Sequence, residues 1–156
     1  MIPDELGPFQ RRPTGLLLRL AHQYARSAAN EALRALDLDL RHVGVLAVLA
    51  ERGPQTQKQL TDAIELDKSS MVYVVDKLER QGLVRRERTD NDRRAYAVTL
   101  TDLGRHQMTA ASQVAIGVLG EILDVLDPAE ERQLNDLLRR VIEQARLRRQ
   151  APPAAE

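Results

Sequence analysis

Apolar residues recur every three or four positions along most of the chain, which is the spacing of a helix with one buried face. The pattern predicts a first helix that is capped by Thr14 and runs to about Leu36. A second helix is predicted after Asp39. It should stop at Gly53-Pro54, because glycine commonly caps a helix end and proline cannot continue the helix. Its predicted inward-facing side chains are Val43, Leu46, Leu49 and Ala50.

Two further helices follow, separated by a tight break. Thr56 and Gln59 have the spacing of a capping box, which predicts a short helix from Gln57 to about Ile64. The next helix is predicted from about Lys68 to Gln81, where Gly82 ends it. Its apolar face consists of Met71, Val74, Val75 and Leu78. Its outward face carries Ser69, Ser70, Tyr73, Lys77 and Arg80.

After Gly82 the hydrophobic period changes from that of a helix to that of a strand. Residues 83–88 and 95–100 alternate between apolar and polar, and residues 89–93 are typical of a turn, so a β-hairpin is predicted. Thr101 then caps a helix that could continue to about Leu126. The run Asp127-Pro128-Ala129-Glu130 is a start signal for a last helix. Residues 1–13 are predicted to be an irregular arm and residues 151–156 a disordered tail.

Composition narrows the possible functions. Lys plus Arg and Asp plus Glu both number 23, so the total charge does not indicate a nucleic-acid partner, but the segment 77–94 is locally positive. The absence of cysteine excludes disulfides, thiolate metal sites and cysteine nucleophiles. No apolar run resembles a signal peptide or approaches the roughly 20 residues of a membrane span, so a cytoplasmic location is expected.

The predicted order of elements is that of a winged helix-turn-helix. In that fold the outward face of the second helix of the pair enters the major groove of DNA. Taken alone, its polar residues could equally be an ordinary solvated face. The hairpin favours DNA binding, because a solvated loop needs no such density of arginine, whereas a wing that follows the phosphates does. The arginines concerned are Arg85, Arg86, Arg88, Arg93 and Arg94.

These motifs resemble the MarR (multiple antibiotic resistance regulator) family. The resemblance covers residues 40–104 and is most specific at the end of the fourth helix and in the wing. The segments that carry it are Leu78-Glu79-Arg80-Gln81-Gly82-Leu83-Val84-Arg85-Arg86, Asp92-Arg93-Arg94 and Leu100-Thr101-Asp102-Leu103-Gly104. It implies a mainly α fold with a small β-hairpin wing and dimerisation helices at both ends of the chain.

The resemblance also implies an organisation and a function. Residues 14–38 would be an N-terminal dimerisation helix, 39–100 the DNA-binding domain and 101–150 the C-terminal dimerisation helices. The protein is expected to be a homodimeric regulator, and more specifically a repressor, that binds a palindromic operator in double-stranded DNA. A small aromatic or anionic effector would release it. Cofactors and metals are not expected, and the effector's identity and the operator sequence stay open.

Candidate site residues follow from the predicted faces and from the family. Asp92 would brace the wing by pairing with Arg94, and Arg93 and Arg94 would enter the minor groove. The full set of predicted DNA-binding residues is Thr56, Gln57, Lys68, Ser69, Ser70, Tyr73, Lys77, Arg86, Arg88, Asp92, Arg93 and Arg94. Polar or soft side chains that interrupt the apolar helices near the junction with the winged lobe predict the effector site: His22, Arg41, His42 and Met108.

Two other classes of function stay open at this stage. The chain could be the winged-helix dimerisation module of an enzyme, although His22, His42 and His106 are far apart and no phosphate loop or metalloprotease helix is present. It could also be a protein-interaction module that does not bind DNA, against which the arginine-rich wing argues. The three histidines are more simply interpreted as polar pocket walls or surface residues than as zinc ligands.

Overall fold

The computed structural model describes residues 13–89 and 92–150, and the side chains of residues 89, 92–95 and 150 lie outside the described part. Its helices are α1 (Pro13–Leu33), α2 (Leu40–Arg52), α3 (Gln57–Ile64), α4 (Lys68–Arg80), α5 (Asp102–Leu123) and α6 (Pro128–Gln150). Its strands are β1 (Gln55–Thr56), β2 (Val84–Thr89) and β3 (Asp92–Leu100), and a short 3-10 turn, Arg34–Leu36, follows α1. The predicted mainly α fold with a winged helix-turn-helix is confirmed.

The chain forms two compact units, residues 1–119 and residues 120–156. The first contains the described elements from α1 to β3 and most of α5, and the second contains the end of α5 and α6. Because the boundary falls inside a helix, it does not coincide with the predicted functional division at residues 39 and 101. That division stays a prediction.

Side-chain caps fix where the central helices begin. The Asp39 carboxylate accepts hydrogen bonds from the backbone of Arg41 and His42 at the start of α2, and Thr56 and Gln59 form the predicted capping box at the start of α3. Gly53 ends α2 with a φ of 73°, a conformation that glycine adopts without strain. The first helix differs from the prediction, because it begins at Pro13 and Thr14 lies inside its first turn rather than at the cap.

The core is built by α2, α3, α4 and the inner face of the sheet. On α4 the buried residues are the four predicted ones, Met71, Val74, Val75 and Leu78. On α2 the buried stripe is instead His42, Val45, Leu46 and Leu49. Ala50 is exposed, so the predicted stripe was wrong at that position, whereas Val43 is partly buried and packs against the core. His42 can join the buried stripe because its Nδ1 accepts the backbone N–H of Asp39, which gives this polar atom a partner in the cap of α2.

The wing is part of a three-stranded antiparallel sheet with strand order β1-β3-β2. In β2 and β3 the pairing runs from Val84 opposite Leu100 to Thr89 opposite Asp92, with an irregularity between Arg88 and Thr89. Both strands therefore extend further toward the hairpin tip than their alternation predicted. The strand β1, at residues 55–56, was not predicted, since two residues are too few to show any period.

Two negative findings apply to the described residues only. No single helix there is long and apolar enough to cross a membrane; α5 and α6 reach that length and composition only as a broken pair. No group of three or more His, Cys, Asp or Glu side chains in that part of the chain is arranged to hold a metal ion.

Candidate nucleic-acid interface

The helix α4 is fixed at its first turn by Asp67. The carboxylate of Asp67 accepts hydrogen bonds from the backbone N–H of Ser70 at 2.9 Å and from its hydroxyl at 2.6 Å. The hydrogen bonds from Ser70 hold the pKa of Asp67 below its usual value, so the cap stays charged at neutral pH. Ser70, a predicted DNA-binding residue, is therefore already engaged in capping the helix.

The side of α4 that faces away from the core is polar and exposed to solvent. Lys68, Ser69 and Arg80 are exposed, and 56% of Tyr73 is accessible to solvent. Because the buried side is held by four apolar residues of the core, the exposed side is presented on a rigid support. This arrangement places Lys68, Ser69 and Tyr73, three of the predicted DNA-binding residues, on one surface.

Lys77, another predicted DNA-binding residue, is paired within the protein. Its ammonium group lies 2.7 Å from a carboxylate oxygen of Asp37, and its side chain is only 21% exposed. Asp37 also accepts a hydrogen bond from the Gln81 amide, at 2.9 Å. The hydrogen bond from Lys77 lowers the pKa of Asp37. Lys77 and Gln81 thus connect the second half of α4 to the turn between α1 and α2.

The start of α3 adds polar groups beside α4. Thr56 is engaged as the helix cap, and its hydroxyl accepts the backbone N–H of Gln59 at 3.3 Å. A groove of about 520 Å³ lies between α3 and α4. It is lined by Gln57, Lys58, Thr61, Lys68 and Val72. Lys58, Thr61 and Val72 were not among the predicted DNA-binding residues. The signal that could have found them is their position on the outward faces of two helices predicted to be adjacent.

Arg86 is also engaged within the protein. Its guanidinium pairs with the carboxylates of Asp76 and Glu79 on α4, and it reaches the Gln57 side chain at 3.4 Å. Its backbone N–H donates to Glu79 as well, at 3.1 Å. Burial lowers the pKa of Arg86, but the two carboxylates outweigh this and raise it, so the group stays charged. Only 23% of the Arg86 side chain is exposed. It joins the base of the β2–β3 hairpin to α4 rather than pointing freely outward.

The rest of the predicted wing surface is only partly described. Arg88 is exposed on β2, and Arg85 pairs with Glu87 on the outer face of the same strand. The side chains of Asp92, Arg93 and Arg94 lie outside the described residues, so the predicted brace between Asp92 and Arg94 and the minor-groove contacts stay predictions.

The predicted effector residues are distributed over different surroundings. His22 is exposed and lines a cavity of about 290 Å³, which we call the apolar cavity, with Arg26, Ala29, Leu40 and Ile116 among its walls. Met108 is partly buried against the core, where its sulfur lies 3.6 Å from the Ser112 hydroxyl.

His42 lies at a second cavity of about 480 Å³, which we call the polar cavity. The imidazole is 2% exposed, and its Nδ1 lies 3.1 Å from the backbone nitrogen and 2.9 Å from a carboxylate oxygen of Asp39. Arg41 forms an ion pair with the same carboxylate at 2.6 Å. Burial lowers the pKa of His42. Burial raises the pKa of Asp39, but Arg41 and His42 lower it to about 2.

Comparison with known proteins gives a consistent family. A profile described as the MarR family matches residues 36–95. YkoM of Bacillus subtilis (strain 168), an HTH-type transcriptional regulator, is 33% identical over 96 residues, which are 62% of this chain and 62% of that protein. MhqR of the same organism, also an HTH-type transcriptional regulator, is 28% identical over 126 residues, covering 81% of this chain and 87% of that one.

Solved structures extend the likeness to most of the chain. The chain is 25% identical to a variant of MarR from E. coli complexed with operator DNA, with a TM-score of 0.74 over 85% of this chain and 96% of that one. CouR from Rhodococcus jostii RHA1, bound to p-coumaroyl-CoA, gives a TM-score of 0.70 at 27% identity, covering 84% and 92% of the two chains. Homologues of this kind are transcriptional regulators and not enzymes. In its winged helix-turn-helix geometry and in these relatives, the chain is similar to the MarR family of transcriptional regulators.

Proposed function

We propose that the protein binds a palindromic operator with α4 in the major groove and the β2–β3 wing in the adjacent minor groove. The observation that carries this proposal is the exposed polar face of α4, with Lys68, Ser69 and Tyr73 presented by a helix whose other face is anchored in the core. Lysine suits phosphate contacts, and serine and tyrosine can reach base edges or phosphates. A variant of MarR from E. coli, which is similar to this chain, has been solved in complex with operator DNA, and this supports DNA binding by the fold.

We further propose that the protein acts as a homodimer. Large apolar side chains are exposed in each of the two units: Leu17, Tyr24, Ile116 and Leu119 in the first, and Val125, Leu137, Val141, Ile142 and Leu147 in the second. Exposed apolar area on this scale marks an interaction surface. A twofold dimer would cover it and would present two α4 helices to two half-sites.

Sedimentation at micromolar concentration is expected to show a dimer and no folded monomer. The reason is that obligate helical interfaces commonly bury more than about 2,000 Å² and leave no stable isolated subunit. Thermal unfolding should accordingly shift to higher temperature as the protein concentration rises. A folded monomer at these concentrations, with a midpoint independent of concentration, would contradict the dimer.

Operator binding is expected to fall when Arg94 is exchanged for alanine, by roughly 1–3 kcal/mol, because the wing would lose a specific minor-groove contact. The test is fluorescence anisotropy with a palindrome taken from the DNA that the purified protein retains from genomic fragments. Its half-sites should lie about one helical turn apart, and binding should weaken steeply with salt. Arg139→Ala, an exposed position on α6, is the control. Equal affinities of Arg94→Ala and the unaltered protein would refute the wing assignment.

We propose that a small aromatic or anionic effector releases the protein from DNA, that the protein represses its targets, and that it works in the cytoplasm. The effector proposal draws on His22, Arg41, His42 and Met108, which interrupt apolar helix faces. The complex of CouR with p-coumaroyl-CoA supports a ligand-responsive function in this family. Release requires that the ligand prefer one arrangement of the reading helices, and typical coupling of about 1–3 kcal/mol corresponds to 5- to 150-fold weaker operator binding.

A further inference from the structure

Several polar side chains of α4 already have partners within the protein, which limits what this helix can present to DNA. They cap the helix or form ion pairs with neighbouring elements. These engaged residues are Ser70, Asp76, Lys77 and Glu79. Three of the four lie in the second half of the helix. The N-terminal half is therefore left to read bases, and it is also the part of a recognition helix that contacts base edges in helix-turn-helix proteins.

One apolar residue stands among the exposed residues of this half. The residues of α4 that are exposed to solvent are Lys68, Ser69, Val72, Tyr73 and Arg80. Lys68, Ser69 and Val72 share one side of the helix, because residues three and four positions apart are neighbours on its surface. All of the exposed residues except Val72 carry a polar group, whereas Val72 is apolar and 40% exposed.

Val72 also forms part of the wall of the groove between α3 and α4. The other described residues that line this groove are polar: Gln57, Lys58, Thr61 and Lys68. The core is filled from α4 by other apolar side chains, and valine is a weaker helix former than alanine, so neither packing nor helix stability explains this residue. Single exposed apolar residues are common on protein surfaces. This one lies among side chains proposed to face DNA, where its chemistry restricts what it can contact.

The major groove offers a valine one kind of apolar partner. Base pairs present hydrogen-bond donors and acceptors there, and thymine adds its C5-methyl group. A valine side chain can neither donate nor accept, so against any other base edge it would cover polar groups without giving them a partner. Against thymine it buries a methyl group. Because valine has one strongly preferred rotamer in a helix, its methyl groups are held in place before DNA binds.

We propose that Val72 selects thymine by packing against its C5-methyl group at one position of each half-site. The inference rests on the proposed function, since it requires α4 to lie in the major groove. The two neighbours on this side of the helix then have different roles. Lys68 contacts phosphate and adds affinity for any sequence, whereas Val72 adds a preference for an A·T pair.

The test exchanges thymine for deoxyuridine in the operator, one position at a time and in both half-sites together. Uracil pairs with adenine and presents the same donors and acceptors, but it lacks the C5-methyl group. Binding of the full-length protein is measured by fluorescence anisotropy at constant salt. At one thymine position the exchange is expected to weaken binding roughly fourfold for each half-site, and so roughly tenfold or more for both, which is the effect of one buried methyl group.

Val72→Ala tests whether this residue makes the contact. The variant is expected to keep its thermal unfolding midpoint, because the position is exposed and alanine favours the helix. It should bind the uracil and thymine operators equally well at the selected position, and the effects of uracil elsewhere should not change. Lys68→Gln is the matched control on the same side of α4. It should weaken binding to both operators by the same factor, because a phosphate contact does not depend on the base.

The outcomes separate this inference from the proposed function. Operator binding that no thymine exchange weakens would overturn the inference alone. So would an effect that persists undiminished in Val72→Ala, because it would then come from the shape of the DNA or from another residue. Loss of the effect in Tyr73→Ala, with its retention in Val72→Ala, would assign the methyl contact to Tyr73. A protein that binds no palindromic DNA would overturn the proposed function and this inference with it.

Discussion

Exchanging Gly104 for alanine is expected to lower the free energy of unfolding by about 3 kcal/mol, because the new methyl group has no space. A Cβ at this position would lie 2.0 Å from the backbone oxygen of Leu83 and 2.7 Å from a methyl carbon of Leu100. The carbonyl belongs to the backbone that enters the wing, so it cannot move aside as a flexible side chain would. Urea unfolding of the purified variant measures the loss.

The cap of α5 explains why this close approach exists. The Thr101 hydroxyl donates to Gly82 at 2.7 Å and accepts the N–H of Gly104 at 3.0 Å, and the backbone N–H of Thr101 donates to Leu83 at 3.1 Å. These bonds pull the first turn of α5 against the segment that precedes β2. They give a physical reason for the Leu-Thr-x-x-Gly pattern: the threonine closes the wing, and only glycine fits beside the carbonyl that it draws in.

Gly44→Ala is the matched control. Gly44 is also in a helix, but its added Cβ would meet only a methyl carbon of Ile64, at an ordinary 3.7 Å. Alanine there should leave stability unchanged or raise it by about 0.5–1 kcal/mol, because glycine is the weaker helix former. Comparable stability of Gly104→Ala and the unaltered protein would show that the segment carrying Leu83 can yield, and would remove this explanation of the motif.

Local chemistry was predicted well from the sequence. The caps at Asp39 and Thr56 depend on groups three residues apart, and the buried face of α4 depends on a period within one helix. The change of period after Gly82 predicted the wing, and the family resemblance added the expected function of the fold. The long helices at the chain ends were found as well, although α1 begins two residues earlier than a cap at Thr14 predicts.

Contacts between distant residues were the ones that sequence reasoning missed. Lys77 reaches Asp37 across 40 positions, and nothing in the pattern of either segment indicates that pairing. The polar character of His42 suggested a pocket wall, and His42 does line the polar cavity, but its burial depends on the cap at Asp39, whose backbone N–H its Nδ1 accepts. The ion pairs of Arg86 with Asp76 and Glu79 were not predicted either, because arginine density was interpreted as a property of the whole hairpin, without separating its two faces.

A signal for the role of Arg86 was nevertheless present. Arg86 lies two residues after Val84, so both share one face of β2, and Val84 is buried. Val98, which lies opposite Arg86 on β3, is buried too. An arginine on the inner face needs acceptors there, and Asp76 and Glu79 lie three residues apart on the adjacent helix, where both can face the strand.

The double exchange Asp76→Asn with Glu79→Gln is therefore expected to weaken operator binding by roughly tenfold, about 1.4 kcal/mol. Electrostatics alone predicts tighter binding, because removing two carboxylates from α4 strengthens the attraction of this helix to DNA phosphates. Loss of the charged partners of Arg86 should outweigh this effect, since hydrogen bonds to charged groups contribute about 1.5–3 kcal/mol each and less where they are partly exposed. The wing would then no longer be held at a fixed angle to α4.

The matched control also removes two carboxylates from the winged helix-turn-helix, but neither of them is a partner of Arg86. It combines Asp62→Asn, whose partner is the exposed Lys58, with Glu87→Gln, whose partner is Arg85 on the outer face of β2. Its operator affinity should be unchanged or higher.

Arg86→Lys completes the set, because lysine keeps the charge but cannot bridge two carboxylates as the planar guanidinium does. If Arg86 positions the wing, Arg86→Lys weakens binding with an unchanged salt slope; a contact to phosphate would be preserved by lysine. Tighter binding by the Asp76 and Glu79 double variant would show that Arg86 serves DNA directly.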